Sequence, residues 1–129
     1  MRRRHWLAPI LASSLIVLPF SAPASAQVLA YAWTTTSTGA GYFWDTYPYS
    51  SSPGWYISIY DDRADGQGVR MRQDYGTYVD YHDNVSGAGS EDIYWSSSSV
   101  ERIQACNRDK LSNGTIRVLN CSSWVSTGI

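Results

Sequence analysis

The sequence predicts an all-β domain: a small antiparallel β-sandwich, or a flattened barrel, with one disulfide-stapled hairpin near its C-terminus. Apolar and polar residues alternate with period two in several short runs separated by Gly, Pro, Asn, Asp and Ser, the pattern of strands with one buried face. Beyond residue 26 no segment keeps the i, i+3, i+4, i+7 apolar spacing of an amphipathic helix. The third observation is a lone cysteine pair, Cys106 and Cys121, which in an exported chain reads as a disulfide and not as a metal site or nucleophile.

The chain opens with an address label. Arg2, Arg3 and Arg4 precede an apolar run over 6–20, and Ala24-Ser25-Ala26 supplies the small residues of a cleavage site, so 1–26 reads as a secretory signal peptide. The apolar run holds Pro9, Ser13, Ser14 and Pro19 and is shorter than the ~20 residues that a spanning helix needs. The remainder, 27–129, is therefore expected to be secreted, extracellular and free of the membrane after cleavage. At roughly a hundred residues it is one domain, expected to be monomeric. It carries seven basic against eleven acidic residues, a net charge of −4 with His82 neutral. That balance argues against nucleic acid and anionic membranes as partners, since both need a positive field.

The strands follow in order. Residues 28–34 alternate with Leu29, Tyr31 and Trp33 on one side; 34–41 is a Thr/Ser/Gly loop; 41–45 is a short aromatic strand; and 46–54, with Pro48 and Pro53, is a long exposed loop. The central stretch, 55–75, reads as a β-hairpin. Ile57 and Ile59 share one face with Asp61 while Tyr56, Ser58 and Tyr60 share the other, and after the turn Val69, Met71 and Gln73 oppose Arg70, Arg72 and Asp74. As a hairpin it would set Tyr56 and Tyr60 beside Arg70 and Arg72. Strands over 77–82 and 92–95 come next, separated by the Gly-containing loop 83–91.

In the C-terminal quarter, Asn113-Gly114 signals a two-residue type I′ turn. With that dipeptide as the turn, paired residue numbers have one constant sum, and Cys106 falls opposite Cys121, Leu111 opposite Ile116 and Ile103 opposite Trp124. One face then carries Ile103, Ala105, Leu111, Ile116, Val118 and Trp124, and the other the disulfide. The same register opposes Lys110 to Arg117, a like-charge pair that favours a bulge or a longer loop. Closing a loop of about 15 residues should stabilise the fold by roughly 3 kcal/mol. Seven or eight short strands, antiparallel by their connections, make two layers.

Within this frame, Asp61-Asp62-Arg63-Ala64-Asp65-Gly66 and the Cys106/Cys121 pair resemble features of small secreted proteins of filamentous Gram-positive soil bacteria. Those proteins carry an Asp-x-x-Ala-Asp-Gly turn after a strand and a C-terminal cysteine pair. They have no assigned activity, so the resemblance implies a secreted all-β domain and carries over no catalytic residue. Read from chemistry alone, Asp61, Asp62 and Asp65 offer oxygen ligands for Ca²⁺. In an EF-hand alignment, however, Arg63 takes a ligand position and Arg72 the place of the bidentate Glu. The preferred reading is that these Asp and Gly residues form the turn, and no cofactor is expected.

The aromatic load is the remaining signal: ten Tyr, with Trp33, Trp44, Trp55, Trp95 and Trp124, exceed what one small core absorbs. The expected function is recognition of an extracellular carbohydrate or protein, without catalysis, through outward Tyr42, Trp44, Tyr47, Tyr49, Trp55, Tyr56 and Tyr60 with Arg70 and Arg72. The competing reading makes them strand formers that cover the sheets, with the arginines packed over rings. Two other functions stay open. The loop 46–54 could insert into an extracellular hydrolase as an inhibitor. A secreted ribonuclease could use His82 oriented by Asp80, with Glu91 or Glu101 as partner and Arg70 or Arg72 facing the phosphate, although the acidic balance disfavours RNA.

Overall fold

The structure, a computed structural model, describes residues 27–45 and 54–129. The leader 1–26 and the loop segment 46–53, with Tyr47 and Tyr49, lie outside the described residues. Among the described residues there is no helix; nine strands form two antiparallel sheets. The first sheet has the order β1 (Val28–Trp33), β2 (Gly39–Trp44), β3 (Trp55–Asp61), β6 (Glu91–Ser96). The second has the order β5 (Val79–Asn84), β4 (Gly68–Asp74), β7 (Arg102–Lys110), β8 (Ile116–Leu119), and the short β9 (Val125–Ser126) also pairs with β7.

The two sheets face each other across one core of Ala30, Ala32, Phe43, Ile57, Ile59, Val69, Met71, Val100, Ile103 and Ala105. Alternation puts the strand residues among these on the inward faces, Val100 enters from the connection between β6 and β7, and their burial is the main stabilising term. At Gly39 and Gly41 β2 passes so close over β4 that only glycine fits, whereas Phe43 further along the same inward side fills the core. A Cβ on Gly39 would lie 2.1 Å from Val69 Cγ2, and one on Gly41 2.5 Å from Met71 Sδ. Polar ties cross the same gap: Asn84 Nδ2 donates to the Ile59 carbonyl at 2.9 Å, Thr38 Oγ1 to Asn107 Oδ1 at 2.8 Å, and Tyr94 OH to the Asp83 carbonyl at 2.9 Å. Each satisfies a group that would be costly to bury alone.

The hairpin expected over 55–75 does not form. β3 belongs to the first sheet and β4 to the second, and 62–67 carries the chain from one layer to the other. The alternation is real, but it states only which side chains face the core. Ile57 and Ile59 meet Val69 and Met71 face to face across the sandwich, which buries the same residues as side-by-side pairing would. Six residues comfortably span the roughly 10 Å between packed sheets. As a consequence, Tyr56 and Tyr60 sit on the outside of one sheet and Arg70 and Arg72 on the outside of the other.

At the C-terminus the disulfide forms as expected, joining Cys106 to Cys121, while the register differs. Next to the turn, Lys110 pairs with Ile116 and Asp109 with Arg117, one residue out from the expected pairing. Gly114 alone takes the left-handed conformation at the turn (φ 83°), and Asn113 Oδ1 accepts from the Thr115 amide at 2.9 Å. The slip removes the Lys110/Arg117 clash and replaces it with an Arg117–Asp109 ion pair at 2.6 Å. Asn120, at φ 53°, then shifts the ladder back, so that the Ser122 amide donates to the Ala105 carbonyl at 2.8 Å. A further step sets Ile103 opposite Val125 instead of Trp124. Val118 is left exposed and Trp124 turns outward to meet Arg72 and Arg102, so the expected single apolar face is split.

At the start of β1 a bulge between Val28 and Ala30 sends Leu29 to the core side, away from Tyr31 and Trp33.

Candidate binding surface

Pairing in the first sheet gathers its outward residues into rows across the strands. Tyr31 pairs with Tyr42, Tyr42 with Ser58 and Ser58 with Ile93; Trp44 pairs with Tyr56 and Tyr56 with Trp95; Trp33 pairs with Ala40, Ala40 with Tyr60 and Tyr60 with Glu91. The result is an aromatic surface that extends over all four strands. Tyr31 is 60% exposed, Trp33 39% and Trp95 62%. Tyr42 stands 6.4 Å from Tyr31 and 6.2 Å from Trp44, ring centre to ring centre, with planes tilted by 31° and 34°.

The surface is held rigid from below. Trp44 Nε1 donates to the buried Ser58 Oγ at 2.9 Å, which fixes the indole. The Trp95 ring lies over Gly54, where a Cβ would fall 2.5 Å from its Nε1. The four strands of this sheet contain no Lys or Arg. Burial pushes the Tyr42 phenol above its ordinary pKa, and neighbouring Glu91 adds to the shift.

The expected site residues divide. Tyr42, Trp44, Tyr56 and Tyr60 come together on this surface, with Tyr56 nearly buried within it. Trp55 instead packs against the core. Arg70 and Arg72 lie on the opposite outer face. There Arg70 holds Asp83 by two bonds of 2.7 and 2.9 Å and covers the Tyr81 ring at 3.7 Å. The hydrogen bond to Asp83 raises its already high pKa. Arg72 donates to Gln104 Oε1 at 2.8 Å and lies 5.2 Å from the Trp124 ring centre. The arginine-over-ring packing expected of strand formers therefore occurs, with Tyr81 and Trp124 as its rings. Tyr31, Trp33, Ile93 and Trp95 were not singled out from the sequence as site residues; the signal was their alternation at 31/33 and 93/95, on the side that the core leaves free.

The acidic turn holds itself together. Asp61 is buried; its Oδ1 accepts from the Arg63 amide at 3.2 Å, and burial pushes its carboxyl pKa up. Asp65 Oδ1 accepts from the Gln67 amide at 2.8 Å, and Asp62 points to solvent. Among the described residues no three His, Cys, Asp or Glu side chains gather as a metal site would require. His82 faces inward: its Nδ1 lies 3.2 Å from Gln73 Oε1 and its ring 4.2 Å from that of Tyr94. Asp80 Oδ1 accepts instead from the Tyr81 amide at 2.8 Å. The inhibitory loop expected at 46–54 falls almost wholly outside the described residues. No described helix is long and apolar enough to cross a membrane.

In comparisons with known proteins, no family model matches this chain, no curated protein matches it and no solved structure matches it.

Proposed function

We propose that this chain is a secreted, non-catalytic binding domain that recognises an extracellular carbohydrate through the outer face of the first sheet. The observation that carries the reading is the set of exposed rings Tyr31, Trp33 and Trp95 on the face where Tyr42 stands next to Tyr31 and Trp44. Aromatic rings present a large apolar face for the C–H side of a sugar ring and lose little rotamer freedom on binding. The extended, shallow shape suits a polymer lying along a surface more than a small molecule in a cavity. A contiguous exposed aromatic patch on a small domain is costly to keep in water and marks an interaction site.

Secretion is supported by the Arg-rich, apolar and Ala-Ser-Ala leader and by the disulfide. The likeness of the 61–66 turn and cysteine pair to small secreted bacterial proteins points the same way. The test is sedimentation of purified mature protein with insoluble cellulose, chitin and xylan, and with gelatin as a protein surface. Retention on a polysaccharide that falls at least about tenfold in Trp95→Ala supports the proposal. Retention on gelatin alone would move the reading to a protein partner, and equal retention of parent and Trp95→Ala would remove this surface from the function.

A further inference from the structure

At one end of the sandwich, the crossover 62–67 faces the loop 85–90 across a cavity of about 470 Å³, within the size range of small-ligand sites. Arg63, Arg108 and Lys110 line it, so three of the seven basic residues in 27–129 converge on one cavity of a chain segment whose net charge is negative. Arg108 is fixed in place: its Nε donates to Asp83 Oδ2 at 2.8 Å, and Asp83 is itself clamped by Arg70. That bond uses one of five guanidinium donors. Gly66 and Gly87, also on the wall, have positive φ, and a Cβ on either would meet nothing within 4 Å. The ligand can therefore reach backbone there without a side chain in the way.

One carboxylate, Asp61, belongs to the lining. It is only 2% exposed and its Oδ1 takes the Arg63 amide, so it forms part of the wall and not of the mouth. We propose that this cleft is a second binding site, separate from the aromatic surface, for a small ligand that carries an oxyanion group, a carboxylate or a phosphate. Guanidinium and ammonium groups bind such oxygens by charge-assisted hydrogen bonds, and a preorganised arginine loses little freedom in doing so.

The test is an NMR titration of the ¹⁵N-labelled mature protein with inorganic phosphate, with glucuronate and with glucose, at constant ionic strength. Saturable shifts at Gly66, Gly87 and Ala88 with phosphate or glucuronate, and none with glucose, are expected. Affinity should drop at least about tenfold in the Arg63→Ala/Lys110→Ala double variant, whose positions leave the Asp83 clamp untouched. The tighter of the two anions identifies the oxyanion class. No saturable shift, equal affinity in parent and double variant, or shifts centred on Arg72 and Arg102 would overturn the site. Because glycan retention on the aromatic surface is measured separately, failure here leaves that reading intact.

Discussion

On the outside of the second sheet, rings meet guanidinium groups: Arg70 covers Tyr81, whose other side stays exposed, Arg72 and Arg102 both approach Trp124, and Asp83 binds Arg70 and Arg108 together. On the outside of the first sheet, Tyr31, Trp33 and Trp95 stand exposed over strands that contain no cation. Both faces obey the same period-two alternation and both carry aromatic residues. They differ in where the partners are. On the arginine face the partners lie inside the molecule, so the contacts stabilise the fold. On the aromatic face Tyr31, Trp33 and Trp95 meet no cation from their own sheet and their outer surface stays exposed.

If that division holds, substitutions on the two faces should separate stability from binding. The largest loss of stability is expected on the arginine face. Asp83→Ala leaves Arg70 and Arg108, whose side chains are only 13% and 20% exposed, without their shared counter-charge, and should cost about 3 kcal/mol in urea denaturation. Between the faces, Gly41→Ala forces a methyl into Met71 and should cost about 2 kcal/mol, less in a Met71→Ala background that makes room for it. On the aromatic face, Trp95→Ala should change stability by no more than about 0.5 kcal/mol while abolishing polysaccharide retention. A loss of stability at Trp95 as large as that at Asp83 would erase the distinction.

The smallest expected effect lies in the acid range, and two carboxylates should move stability in opposite directions. Burial raises the folded pKa of Asp61 above its unfolded value, so its charge destabilises the fold at neutral pH. That penalty is relieved as the pH falls through the raised value. The hydrogen bond from Arg102, with the Gly76 amide, holds Asp74 below the usual carboxylate range. Its contribution is complete above the unfolded pKa and lost as the pH falls through the lowered one. Relative to the parent, Asp61→Asn should flatten the gain seen on mild acidification, and Asp74→Asn the loss seen below it. Melting curves between neutral pH and strongly acid pH check both.

The sequence made the two-layer β architecture legible, because Ile57, Ile59, Val69 and Met71 alternate with polar residues and the lone cysteine pair sits in the right place. It did not reveal that β3 and β4 lie in different sheets, since side-by-side and face-to-face packing bury the same four residues. That ambiguity merged two opposite faces into one expected site of Tyr56, Tyr60, Arg70 and Arg72. The register near Asn113-Gly114 was also ambiguous. A one-residue slip costs one left-handed residue at Asn120 and gains the Arg117–Asp109 pair, a balance that pattern alone does not resolve. The bulge that turns Leu29 inward left no mark in the alternation either. Half of the aromatic surface was legible nonetheless, because Tyr42, Trp44, Tyr56 and Tyr60 fall on one side of their strands whichever neighbours they pair with.

The most direct test of the division between faces follows the five indole N–H signals of a protein comprising residues 27–129 during titration with soluble oligosaccharides from whichever polysaccharide retains it. The signals of Trp33, Trp44 and Trp95 should shift and saturate together, while those of Trp55 in the core and Trp124 among the arginines stay in place. Movement of Trp124 without Trp33 and Trp95 would put the ligand on the wrong side of the sandwich and contradict the account.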